Sequence, residues 1–436
     1  MYVPSEVLRA IENVWAMPSL QSIELRKTPE VLELDAVCER VYAQGKGGYA
    51  LANALRSLGV PCMLPPDAKE LCLHPAKAAE RLHDAYLRKT VLRRHLCPLE
   101  YADHLPEVVF GTSRAGQFTS AELGEFMDAK RLRRYFPGYR LALRDYAKFR
   151  WLVVEEEVIV KAPPLQRALP FLSMDFSRDL GEINPHLGRF PQAVEVALFF
   201  LLLAPWEEWV RYQQAGWRGF RLPWIYSLDD DLFVGPTVPQ SPTTLATEPE
   251  YDHWDNETGD ERAIIIPLDD GYESQWLQFV GETWSAFEKA RTTALFETPV
   301  GHFLVRAFLA DDIDEIMAHM TTIEAGLGTI SDHKRKLRPK PDPHKDVSST
   351  DRVAARLAAL LRDPSCVADY QELFDLRSTF VHGRGGIAPI STQQRIRARS
   401  LARLVARRLV DDAASLSGTR EAKLDQLLDA GVPFLP

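Results

Sequence analysis

Cysteine is scarce in this 436-residue chain: Cys38, Cys62, Cys72, Cys97 and Cys366 are five in number and widely scattered. That argues against a disulfide scaffold and fits a reducing compartment. Long apolar runs are also missing. The longest, AVEVALFFLLLA at Ala193 to Ala204, contains Glu195 and is too short to span a bilayer, so it is expected as a buried helix. The opening MYVPSEVLRAIENVW has no basic segment before an apolar core. No secretory signal is expected, and a cytoplasmic protein without a membrane partner is the default. Several chemical signatures are absent too. The glycines after Gly45 lack the G-x4-G-K-[ST] phosphate-loop spacing, and there is no G-x-S-x-G or paired HExxH. No metal and no cofactor are expected. Cys72-x-His74 and His95-x-Cys97 have the wrong spacing for a zinc knuckle, and Glu155 to Glu157 are not followed by the acid-x-Lys triplet of metal nucleases.

What is present is ordinary globular material, 46% hydrophobic and 26% charged, enough for two or three domains. The net charge of -9 is uneven. From Arg291 onward the chain carries 21 basic and 19 acidic residues, whereas the preceding part is strongly acidic. Only the C-terminal third is electrostatically suited to nucleic acid.

The pattern along the chain is α+β overall, in three regions. Residues 1–97 read as a helical N-terminal region, including AKAAERLHDAYLRKTVLRRHL after Pro75. Residues 98–271 read as a mixed α/β sensing or regulatory region. Thr119 and Ser120 cap a helix; WLVVEEEVIVKA (Trp151 to Ala162), RGFRLPWIY and AIIIPL (Ala263 to Leu268) are strand candidates. A Pro-, Thr- and acid-rich loop separates the last two. Residues 272–436 read as an all-α helical bundle. There, SSTDRVAARLAALLRD starts at a Ser/Thr cap, and Ser391 with Gln394 has capping-box spacing.

The oddest local feature lies near residue 377. Helical spacing places Val367, Tyr370, Phe374, Arg377 and Val381 on one face, so an arginine fills an aliphatic slot. It needs a partner, a groove or an anion. His382 lies about 140° further round an ideal helix. It falls where Gly383, Gly385 and Gly386 end that helix, at the negative end of the dipole. Asp375, Ser378 and Thr379 lie one to two turns back, able to orient the imidazole. An arginine and a histidine in a groove suit metal-free cleavage of RNA. The 2′-hydroxyl supplies the nucleophile, the histidine moves its proton, and the arginine stabilises charge on the phosphate. Of the eleven histidines, only His382 has an arginine five positions before it.

The string LFDLRSTFVHG resembles the signature helix of the HEPN superfamily, whose nucleases carry R-x4-6-H. The order of TTIEAGLG, an insertion, RVAARLAALL and DLRSTFVHG is similar to the ApeA-type branch, over roughly residues 301–414. The resemblance implies a HEPN helical bundle that dimerises, so that two Arg-His pairs face one cleft. It also implies ribonuclease activity, as a toxin or abortive-infection effector against phage. It maps Arg377 and His382 onto the catalytic pair and Glu324 onto a characteristic acidic position. Some HEPN toxins have a tyrosine two places after the histidine; here that place is Arg384, so regulation by tyrosine modification is not expected.

Other readings stay open. Arg377 as a salt bridge to Glu324 and His382 as a helix cap are the bland ones. A non-catalytic dimerisation module that binds RNA or a nucleotide is the functional rival. A third reading places an enzyme in the middle region. Arg395, Arg399, Arg403 and Arg407 recur every four residues as a cationic stripe, read together with Arg384 as RNA contacts; a solvated face is the alternative. The loop HKRKLRPK, His333 to Lys340, either touches phosphates or is mobile. A phage-derived trigger or regulatory ligand is expected to act on the N-terminal region.

Overall fold

A computed structural model describes the chain apart from residues 1, 21–23, 45–46, 101, 103–104, 176, 178, 180, 183–189, 211–219, 247–270, 384–388, 414–415 and 417. The chain divides into two units. One comprises Met1–Leu99, Thr112–Pro185 and Pro223–Ala246; the other comprises Glu100–Gly111, His186–Leu222 and Thr247–Pro436.

The first unit begins with four helices, α1 (Ser5–Trp15), α2 (Pro29–Tyr42), α3 (Gly48–Leu58) and α4 (Pro75–Leu87). Their apolar faces share one core around Val7, Ile11, Leu34, Leu51, Leu55 and Leu82. The run after Pro75 departs from the helical expectation. The helix stops at Leu87, and Thr90–Leu99 forms a strand, β1. Its TVLRRHLCPL sequence has no alternation of its own; antiparallel pairing along both edges, with Arg150–Ile159 and Tyr226–Asp229, and burial of its second half outweigh the helical spacing. The chain's antiparallel sheet has five strands. Val108–Phe110 (β2) is grouped with the second unit. The first unit supplies the other four, β1, Ser113–Gln117 (β3), Arg150–Ile159 (β4) and Tyr226–Asp229 (β5), in the order β3-β4-β1-β5.

Leu96 sits opposite both Val153 and Tyr226. With Trp151, Trp224 and Leu228 they make an apolar face. It is covered by residues from the short helices α5 (Ser120–Phe126) and α7 (Leu143–Tyr146) and their flanks; a further short helix, α6 (Ala129–Tyr135), lies between them in the chain. A fourth short helix, α8, spans Pro164–Ala168. The capped helix start expected at Thr119 and Ser120 forms with Thr119 as the cap, in a reciprocal capping box with Glu122. The acidic run on β4 is explained by its register. Glu155 lies opposite Arg94 and pairs with it at 2.5 Å, while Glu156 lies opposite Arg93. These are cross-strand ion pairs rather than metal ligands.

Among its described residues, the second unit is helical apart from β2 and an isolated bridge between Glu100 and Arg221. Its helices are α9 (Gln192–Leu202), α10 (Tyr272–Ala290), α11 (Val300–Leu309), α12 (Asp312–Leu327), α13 (Ile330–His333), α14 (Ser349–Leu361), α15 (Cys366–Val381), α16 (Thr392–Ala413) and α17 (Arg420–Gly431). The apolar run of α9 is buried as expected and packs on α11. The second unit thus takes in α9, from within the region 98–271 that the sequence pattern groups as mixed α/β. The Ser348 cap of α14 and the Ser391–Gln394 box of α16 both form. The strand candidate at Ala263 lies outside the described residues.

Candidate functional site

Arg377 and His382 belong to α15, whose burial fades along its length. Val367, Tyr370 and Leu373 are at most 4% exposed, but Phe380 is 42% and Val381 55% exposed. The aliphatic periodicity therefore overestimates the buried face: the last turn projects beyond the core. The helix ends as the glycines suggest. His382 takes the C-cap, its N–H donating to Ser378 O at 3.0 Å, and Gly383 turns left-handed at φ +60°.

Arg377 is partly exposed and donates from Nη1 to Glu324 Oε1 at 2.6 Å; each side chain keeps about a quarter of its surface in solvent. Its guanidinium also lies 6.0 Å from the Phe374 ring centre. The Nε of Arg377 is buried with no hydrogen-bond partner among the described residues. One edge of the fork is thus fixed by Glu324, and Nε is an unused donor. Burial raises the Glu324 carboxyl above its ordinary range, against the pull of the Arg377 and His333 charges. The bland reading of Arg377 as a salt bridge is realised, though at a partly open position.

The His382 side chain is exposed and has no hydrogen-bond partner among the described residues. Asp375 is exposed and Ser378 half-buried; neither side chain bonds the imidazole. Their expected orienting role has no counterpart in this arrangement. Arg384 lies outside the described residues.

The arginine stripe on α16 has a different fate from the one expected. Arg395 pairs with Glu315 at 2.7 Å, and Arg399 bonds the same carboxylate. Arg403 pairs with Glu207 and Glu208, and Arg407 with Asp411 and the Thr283 hydroxyl. Arg399 and Arg403 are buried. The cause is plain: α16 packs against α10, α11, α12, α14 and α15, so the four stripe arginines meet protein carboxylates, Arg395 and Arg407 while keeping about a quarter of their side-chain surface in solvent. The stripe is not a free phosphate-binding face.

Glu315 is the hub that sequence reasoning missed. Burial disfavours its charge, but His319, Arg399 and Arg395 together hold its carboxyl well below the ordinary range. Burial also lowers the His319 imidazole, with Glu315 opposing. An acidic residue at helical spacing from buried Ile316 and Met320 looks like a helix-start charge, which hid it.

A second overlooked pair is His302 and Glu195, bonded at 2.7 Å. They line a cavity of about 640 Å³ with Phe303, Arg306, Asp314 and Thr321. The signal was available: a lone glutamate inside an apolar run.

Cys97 is fully buried in β1, where burial raises its thiol. His95 bonds Ser227 Oγ at 2.7 Å and Glu156 Oε1 at 3.2 Å. Among the described residues, no group of three or more His, Cys, Asp or Glu side chains is placed to hold a metal ion. No helix there is long and apolar enough to cross a membrane.

No protein-family model, curated protein or solved structure matches the chain.

Proposed function

We propose that the protein is a metal-independent endoribonuclease of HEPN type, built on the helices of the second unit and acting as a homodimer. The observation that carries this reading is the placement of the pair. Arg377 and His382 stand on a helix end that leaves the core, with a guanidinium steadied on one side and an imidazole open to solvent. A pair buried in a sealed interior would have had no access to a phosphodiester.

The chemistry follows from the groups. The His382 imidazole accepts the ribose 2′-hydroxyl proton as that oxygen attacks phosphorus. The P–O5′ bond breaks, and the leaving 5′-oxygen takes a proton from the second subunit's protonated imidazole. The Arg377 guanidinium stabilises the extra negative charge on the phosphoryl oxygens, and Glu324 holds the fork in position. The products are a 2′,3′-cyclic phosphate and a 5′-hydroxyl. DNA lacks the nucleophile and is spared. In this reading the first unit senses or restrains, and the target is RNA in a cell under phage attack.

Purified protein incubated with RNA in EDTA tests the proposal. Cleavage is expected from the wild type, and a loss of at least about 100-fold from His382→Ala and from Arg377→Ala. Equal activity from His382→Ala would end the assignment. Tight RNA binding without product, in EDTA or magnesium, would favour a non-catalytic binding module instead.

A further inference from the structure

Of the two cationic features that the sequence offers in the second unit, the α16 stripe and the loop His333–Lys340, the loop is the exposed one. The α16 arginines are occupied by internal carboxylates, and so are Arg352 and Arg356, which pair with Asp342 and Asp332. Exposed cations without an ion pair among the described residues are scattered elsewhere, as at Lys289, Arg306, Lys345 and Arg362, whereas in the segment His333–Lys340 they are clustered. Lys334, Arg335, Lys336 and Lys340 are exposed, and none forms an ion pair among the described residues.

This segment is held, not loose. Its one buried cation, Arg338, donates from Nε to Ser331 O at 3.1 Å and from Nη2 to Asp332 O at 2.8 Å. Asp342, which Arg352 grips at 2.6 Å, lies 3.6 Å from Arg338 Nη1. Arg338 therefore anchors the turn, and its neighbours are presented outward on a fixed backbone. Fixing the backbone reduces the entropy lost when phosphates are bound.

The location also matters. The segment follows α12, the helix that carries Glu324, with only α13 between them. Glu324 on that helix bonds Arg377. The cations thus follow in the chain directly after the helix that steadies the candidate arginine.

We propose that His333–Lys340 is a phosphate-binding ridge that guides single-stranded RNA to the Arg377–His382 end of α15. The inference rests on the nuclease reading for its destination but not for its binding chemistry. Phosphates meet three unpaired cations in a row at Lys334, Arg335 and Lys336, with Lys340 beyond. Such contacts release counterions and carry little sequence preference.

The test uses the full chain and the triple variant Lys334→Ala/Arg335→Ala/Lys336→Ala. These positions are exposed, so an unchanged Tm is expected and confirms folding. Binding of a fluorescent 20-nucleotide single-stranded DNA, which lacks the 2′-hydroxyl, is measured by anisotropy from about 50 to 200 mM salt. Loss of three contacts should lower the slope of log K against log salt by about 2 and weaken low-salt binding at least about tenfold. An unchanged slope and affinity would overturn the ridge, as would wild-type binding to phosphatidylglycerol vesicles without binding to nucleic acid. Cleavage of RNA is scored separately. Activity with an unaltered salt slope sinks the ridge and leaves the nuclease. A reduced slope in the variant, with no cleavage by the wild type, sinks the nuclease and leaves the ridge.

Discussion

The Arg356–Asp332 pair offers a sharp test of how the second unit is held together. Both side chains are essentially without solvent exposure. The guanidinium meets Asp332 through two bonds, 2.5 and 3.1 Å, and also the carbonyls of Leu327 and Leu424. It thus ties α14 to the C-terminal end of α12, to α13 and to α17. Asp332→Asn keeps the shape and still accepts the Thr329 N–H that caps α13 at 2.8 Å. What it removes is the charge. An uncompensated buried cation costs about 3–5 kcal/mol. For a unit of this size, about 2–4 °C of Tm accompanies each kcal/mol. A fall of roughly 6–20 °C is therefore expected at pH 7, in the lower half of that range because the two carbonyls remain. Calorimetry on the full chain reads it. Arg356→Met combined with Asp332→Asn should recover part of the loss, since the orphaned charge is then gone. A Tm within about 2 °C of wild type for the single variant would refute the reasoning.

Other outcomes follow from the same packing. A Cβ at Gly431 would lie 1.9 Å from the Ala355 carbonyl oxygen; Gly431→Ala should force α17 off α14 and lower stability by about 1–3 kcal/mol or more, read by urea denaturation. Arg403→Ala leaves Glu207 buried without its main partner, so Tm should fall, while the salt slope of nucleic-acid binding stays at the wild-type value. The pH dependence has a definite sign. Burial lowers the imidazoles of His95 and His319 below 6.5. As pH falls through that value, the unfolded chain takes up protons that the folded chain refuses, so stability declines. Replacing His319 with Gln should flatten the decline between pH 6.5 and 5, measured by Tm across that range; an unchanged slope would contradict it.

Much of the second unit was legible because helix starts are chemical events. Ser348, Ser391 with Gln394, and the glycines after His382 each mark a boundary that local hydrogen bonding enforces. The buried α9 was equally plain from its composition. Two kinds of feature were not legible. One was tertiary override: Pro75 and a helical spacing led past Leu87, where pairing with β4 makes a strand of residues 90–99. The other was the fate of charge. A row of arginines at intervals of four looks the same whether it faces water or carboxylates. Which it meets depends on Glu315 and Glu207, distant in sequence from α16. The ion pair of Arg377 with Glu324 was foreseen as the bland alternative, and the open end of α15 was not. Periodicity placed Val381 inward because it cannot know where neighbouring helices stop.

The nuclease proposal requires a 2′-oxygen to attack its own phosphate. One RNA oligonucleotide, cut in EDTA at a mapped linkage, is therefore compared with the same oligonucleotide carrying a single 2′-deoxyribose immediately 5′ of that linkage. Cleavage there should vanish while cutting elsewhere continues. Equally fast cleavage of the deoxy-substituted linkage would contradict the account.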